Sequence, residues 1–108
     1  MPVKRILVTG SSGTIGTRLC EKLLEAGYSV TGVDIKRNKW REGVDRVTVI
    51  GDLRDTKTFE RLPKDADMVI HLAANARVYD LTLNPGMSLD NISMLFNVLE
   101  FCRAAGIK

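Results

Sequence analysis

The chain has 108 residues, 44% hydrophobic and 27% charged with nine glycines and three prolines, the make-up of one soluble globular domain rather than of two domains or of a disordered or fibrous chain. Sixteen Lys and Arg against thirteen Asp and Glu leave a mildly basic net charge of +3, with five of the cations gathered between Lys36 and Arg46. No apolar run approaches the roughly 20 residues that span a bilayer and no signal-peptide pattern opens the chain, so it reads as cytoplasmic and without a membrane partner.

Arg5 to Thr9 is a short β-branched and leucine run closed by glycine, which predicts a buried strand. Ile15, Leu19 and Leu23 then recur every four residues beside Cys20 and Leu24, the stripe of an amphipathic helix, and Gly27 is placed to end it in a left-handed cap. Val30 to Asp34 reads as a second strand, residues 35 to 46 as mostly loop, and Val47 to Ile50 as a third strand. Asp55 or Thr56 caps a short helix that Pro63 has to stop, and Met68 to Leu72 forms a fourth strand. Pro85 to Ala105 is the longest helix, with Asn84 as its cap and Gly106 closing it.

Strands apolar on both sides and alternating with helices predict a parallel sheet covered on both faces. Right-handed crossovers put the first helix on one face and the last on the other. Cys20 and Cys102 are then kept apart by the sheet and read as free thiols, and one histidine with no Cys-x-x-Cys spacing suggests no metal site. In the last helix Ile92, Leu95, Leu99 and Cys102 make one apolar stripe and Met87, Met94, Val98 and Phe101 a second, about twice what one sheet face requires. Something beyond the sheet must cover the surplus.

Gly10, Gly13 and Gly16 fall at the turn between the first strand and the first helix, where a dinucleotide's pyrophosphate meets backbone amides and a helix N-terminus. Gly10 permits the sharp turn, Gly13 removes a β-carbon where phosphates approach, and Gly16 lets the helix pack closely. A tight connection with no ligand would also use glycines, and no Gly-Lys-Ser/Thr follows to make a Walker loop. Asp34, eighteen residues after Gly16 and at the end of the second strand, tips the balance, because a carboxylate there accepts from adenosine ribose hydroxyls.

Thr9-Gly10-Ser11-Ser12-Gly13-Thr14-Ile15-Gly16 resembles the cofactor signature of the short-chain dehydrogenase/reductase superfamily. Gly51-Asp52-Leu53-Arg54-Asp55, His71-Leu72-Ala73-Ala74, and Asn84-Pro85 followed by Asp90-Asn91 look like its extended branch, the NAD-dependent nucleotide-sugar epimerases and dehydratases. The resemblance covers essentially the whole chain. It implies an α/β fold, a three-layer Rossmann-type doubly wound parallel sheet, incomplete, with four strands in the order 3-2-1-4, and residues 1–108 as one dinucleotide-binding domain. It implies backbone contacts from Thr14 and Ile15 to the pyrophosphate, and gives the adenosine ribose to the Asp34 carboxylate. Asp52 would meet the adenine amino group and Leu53 the ring through its amide, while Leu72, Ala73 and Ala74 line the floor and Asn91 reaches toward the dinucleotide. His71, the single histidine, reads as structural. Ala76 stands where some epimerases have lysine, and Leu95-Phe96 where the pattern often has Gly-Thr.

The Asp34 carboxylate favours NAD, since it would repel the 2′-phosphate of NADP, although Lys36 and Arg37 beside it work against that preference. In this superfamily a Tyr-x-x-x-Lys pair does the proton transfer. Tyr28 is followed four residues on by Gly32 and Tyr79 by Leu83, so the resemblance implies a cofactor-binding front whose catalytic pair lies elsewhere, inactive by itself. It further implies a nucleotide-sugar substrate for the intact enzyme and a homodimer through the 85–105 helix. A non-catalytic module that senses redox state is the alternative. Lys36 to Arg46 with Trp40 would serve a nucleic-acid binder, but the same loop more simply borders an adenosine site.

Overall fold

The computed structural model describes residues 3–75 and 78–108. Four strands, β1 (Arg5–Thr9), β2 (Ser29–Asp34), β3 (Thr48–Ile50) and β4 (Met68–His71), form one sheet in the order β3-β2-β1-β4, every neighbour parallel. The helices are α1 (Thr14–Glu25), α2 (Glu42–Arg46), α3 (Val78–Leu83) and α4 (Gly86–Ala105), with a 3-10 helix at Thr56–Arg61. This is the doubly wound Rossmann-type arrangement expected from the alternating strand and helix patterns.

Successive side chains in β1 point to opposite faces, and the core divides accordingly. Ile6 and Val8 pack with Cys20, Val30 and Val44 on the α1 face. Leu7 packs with Val33, Leu53, Phe59, Leu62, Val98 and Phe101 on the α4 face, where the Phe59 and Phe101 rings lie 5.4 Å apart. Cys20 is fully buried in the first cluster and Cys102 half-buried against the second, so the sheet separates them and both are free.

Several boundaries differ from expectation. Glu42–Arg46, read as loop, is one helical turn, because Val44 is buried against β1 and β2 while Asp45 accepts from the backbone N–H of Asn38 and the guanidinium of Arg37. Val47 precedes β3 rather than opening it. Leu72 lies past the end of β4, where its N–H is bound by Thr9 O at 3.1 Å and Thr9 Oγ1 at 3.0 Å as the chain turns away. Asp55 does cap the helix before Pro63, accepting from Lys57 N at 3.0 Å, but that helix is of the tighter 3-10 kind. Asn84 caps α4 through its backbone carbonyl, 3.0 Å from Met87 N, with Pro85 rather than Asn84 in the N-cap position. Sequence periodicity missed α3.

Of the apolar stripes on α4, Met94, Val98 and Phe101 face the sheet and Cys102 joins them. Ile92, Leu95 and Leu99 are exposed together with Leu89 and Phe96. No helix among the described residues is long and apolar enough to cross a membrane.

Candidate functional site

All four strands deliver their C-terminal ends to one cavity of about 400 Å³, within the range of roughly 300–1,000 Å³ usual for cofactor sites. Its walls include Gly10 and Gly13 after β1, Asp34 at the end of β2, Gly51 to Arg54 after β3, Leu72 to Asn75 after β4, and Met87, Asp90 and Met94 from α4. An open parallel sheet takes its ligand at this edge.

The glycine turn is fixed by close contacts rather than by side chains. Gly10 has φ +76°, and a β-carbon on it would sit 2.8 Å from Ala73 N. A β-carbon on Gly16 would come within 2.0 Å of the Gly10 carbonyl oxygen, so Gly16 lets the first turn of α1 pack against the glycine turn itself rather than against the strands. Gly13 is different. A β-carbon there would meet only Gly10 O, at an ordinary 3.4 Å, so no protein neighbour requires this glycine. Gly13 is also the N-cap of α1, without a side-chain cap, and the first turn of the helix carries no acidic residue. The partial positive charge of the helix start is left for an anion from outside.

Beneath the turn lies a polar network that pattern reading missed. The Asn38 carboxamide is buried and donates to Ser11 O at 3.1 Å and Thr17 Oγ1 at 2.8 Å, while its oxygen accepts from the N–H groups of Trp40 and Arg41, both at 2.9 Å. It thereby welds the segment after β2 to the glycine turn. The only sequence signal is the Asx-turn habit of asparagine in a loop. Ser11 Oγ meets Thr48 Oγ1 at 2.9 Å across β2, directly over Gly32, whose β-carbon would lie 2.4 Å from that oxygen.

Asp34 accepts from Ser12 N at 2.9 Å and from Lys36 N at 3.1 Å, one bond to each carboxylate oxygen. An ionised carboxylate has about four acceptor sites, so about two remain, enough for the two hydroxyls of a ribose. Arg37, expected beside a 2′-phosphate, is paired with Asp45 instead. Arg41 pairs with Glu21 and Arg46 with Glu42, so three cations of the basic segment are engaged by carboxylates within the chain.

Asp52 and Leu53 stand in the cavity wall with Arg54, whose guanidinium forks onto Asp52 and holds its carboxyl below the usual carboxylate range. Leu72, Ala73 and Ala74 also line the cavity. Thr9 sets their backbone: its hydroxyl accepts from Leu72 N at 3.0 Å and Ala73 N at 3.1 Å, so its own proton goes to His71 Nδ1, 2.6 Å away. His71 is thus a neutral imidazole buttressing the floor, and burial lowers its pKa in agreement. Thr14, Ile15 and Gly16 are not part of the cavity wall, and Ile15 turns its side chain to solvent. Asn91 does not line the cavity either. Its carboxamide accepts from Asn75 N at 2.7 Å and donates to Asn75 O at 3.0 Å, so it holds the loop after β4 in place. Ala76 lies outside the described residues.

Known proteins share this fold. UDP-glucose 4-epimerase 3 of Oryza sativa subsp. japonica is 36% identical over an alignment of 101 positions that covers 80% of this chain and 27% of that protein. The UDP-glucose 4-epimerase of Thermus thermophilus, solved in complex with NAD, superposes with a TM-score of 0.85 at 33% identity over 96% of this chain and 35% of that one. The L-threonine dehydrogenase of Phytophthora infestans superposes with a TM-score of 0.82 at 27% identity over 97% of this chain and 34% of that one. The chain therefore spans about a third of the length of such relatives. Residues 6–108 match the pattern of one family throughout, and the chain belongs to the NAD dependent epimerase/dehydratase family.

Proposed function

We propose that residues 1–108 are the cofactor-binding front of an enzyme that epimerises or dehydrates nucleotide sugars, and that the cavity at the strand ends holds NAD. The glycine turn carries the reading: Gly13 has no protein neighbour that demands it, yet it sits at an uncapped helix start facing the cavity, as a diphosphate seat requires. The amides of Thr14, Ile15 and Gly16 bind the pyrophosphate. The free acceptor sites of Asp34 orient the adenosine ribose and disfavour a 2′-phosphate, a preference strengthened by the engagement of Arg37 with Asp45. Asp52 accepts from the adenine amino group, with the Leu53 amide beside it. Leu72, Ala73 and Ala74 form a water-excluding floor, pinned from below by Thr9 and His71 and from α4 by Asn91 through Asn75. When bound, NAD supplies a reversible hydride acceptor. Neither Tyr28 nor Tyr79 has a lysine four residues on, so the proton transfer that accompanies hydride movement falls to residues outside this stretch, and the 108-residue chain binds without turnover.

The exposed leucines of α4 are covered, on this reading, by a second copy of the chain. Calorimetric titration with NAD, NADP and ADP-ribose tests the cofactor site. NAD is expected to bind more tightly than NADP, and Asp34→Ala to lower NAD affinity about tenfold and erase the preference. Failure of all three ligands to bind overturns the proposal.

A further inference from the structure

Arg54 is the cation in the cavity wall among the described residues, and nothing in the proposed cofactor contacts uses it. Its Nε lies 3.0 and 3.1 Å from the two carboxylate oxygens of Asp52 and its Nη2 2.6 Å from Oδ2, while Nη1 reaches Asp90 Oδ2 in α4 at 3.2 Å. The Arg54 backbone N–H adds a further bond to Asp52 Oδ1 at 2.9 Å. Asn97 ties the same turn to α4 again, donating to Leu53 O at 2.8 Å. Of the roughly four acceptor sites of the Asp52 carboxylate, three N–H groups of one residue fill all but about one. The pairing also holds the Asp52 carboxyl below the usual carboxylate range.

We propose that Arg54 is the positioning residue of the adenine end: by clipping Asp52 to Asp90 it leaves the Asp52 carboxylate charged, fixed and open to a single donor, so that this end selects a 6-amino purine over a 6-oxo purine. The inference rests on the reading of the cavity as a dinucleotide site with Asp52 at the purine. A 6-amino group brings an N–H to the remaining acceptor site. A 6-oxo group brings a second acceptor to it, which repels the carboxylate and leaves that last site unfilled.

The test is calorimetric titration of the chain with NAD and with its hypoxanthine analogue, for the unaltered protein, Arg54→Met and Asp90→Asn. The unaltered chain is expected to prefer NAD tenfold or more. Arg54→Met is expected to weaken NAD about tenfold while leaving the analogue within about twofold, with Asp90→Asn in between. Arg54→Lys retains the charge without the fork and carries the same test if Arg54→Met does not fold. A preference for NAD that survives in the Arg54 variants, or an equal loss for both ligands, overturns the inference by making Arg54 a mere wall support. Equal binding of both ligands by the unaltered chain overturns it too, and leaves the dinucleotide site standing. Binding of neither removes the dinucleotide reading and this inference together.

Discussion

On the α1 face of the sheet, Ile6, Val8, Cys20, Val30 and Val44 are buried and the helix is braced from its polar side by Asn38 through Thr17. On the α4 face Leu7, Val33, Val98 and Phe101 are buried as well, yet the same helix turns Leu89, Ile92, Leu95, Phe96 and Leu99 to solvent around a shallow groove. The first face leaves few apolar side chains exposed, Ile15 of α1 among them, whereas the second has a contiguous surplus of apolar surface of the kind that marks an interaction site.

Gly16→Ala should break the first face most severely. The new methyl would lie 2.0 Å from Gly10 O, a backbone atom that cannot step aside, so we expect dinucleotide binding to vanish in calorimetry and denaturant unfolding to show a loss of ~3 kcal/mol or more. Gly13→Ala sharpens the point: it should abolish binding too while costing less than ~1 kcal/mol of stability, since the added methyl finds ordinary space. On the other face, replacing Leu95 and Phe96 by lysine should leave stability within ~0.5 kcal/mol per site and abolish the concentration-dependent association expected of the unaltered chain in sedimentation. An unaltered chain that stays monomeric at every concentration would erase the contrast between the faces.

The smallest effect concerns the sheet between them. Burial lowers the His71 pKa below its ordinary 6.5, so near that pH the unfolded chain takes up a proton that the folded chain refuses. The stability tied to the neutral ring is full above pH 6.5 and is lost as pH falls from there through the folded value. His71→Gln should flatten that part of the melting temperature against pH and leave the alkaline side unchanged.

The four strands, the glycine turn and Asp34 were legible because each is encoded by local pattern: an apolar run, a spacing of three, a carboxylate at a strand end. The α2 turn was hidden because its one apolar anchor, Val44, has meaning only once β1 and β2 lie beside it. For Asn91 the family likeness pointed toward the ligand, whereas its carboxamide is satisfied by the Asn75 backbone, a pairing across sixteen positions that no spacing rule announces. Arg54 to Asp90 spans thirty-six and was invisible for the same reason. Local chemistry can be read from the order of residues, and tertiary hydrogen bonds from a loop to a distant helix cannot.

The Cys20 thiol is sealed at zero exposure among aliphatic side chains, and burial pushes its pKa up to about 11. Neither access nor ionisation favours attack by an alkylating reagent while α1 stays docked. Cys20 is therefore a built-in reporter: in a chain whose Cys102 has been replaced by serine, the pace of labelling measures how often the helix behind the glycine turn lifts off the sheet, and a bound ligand should slow that clock.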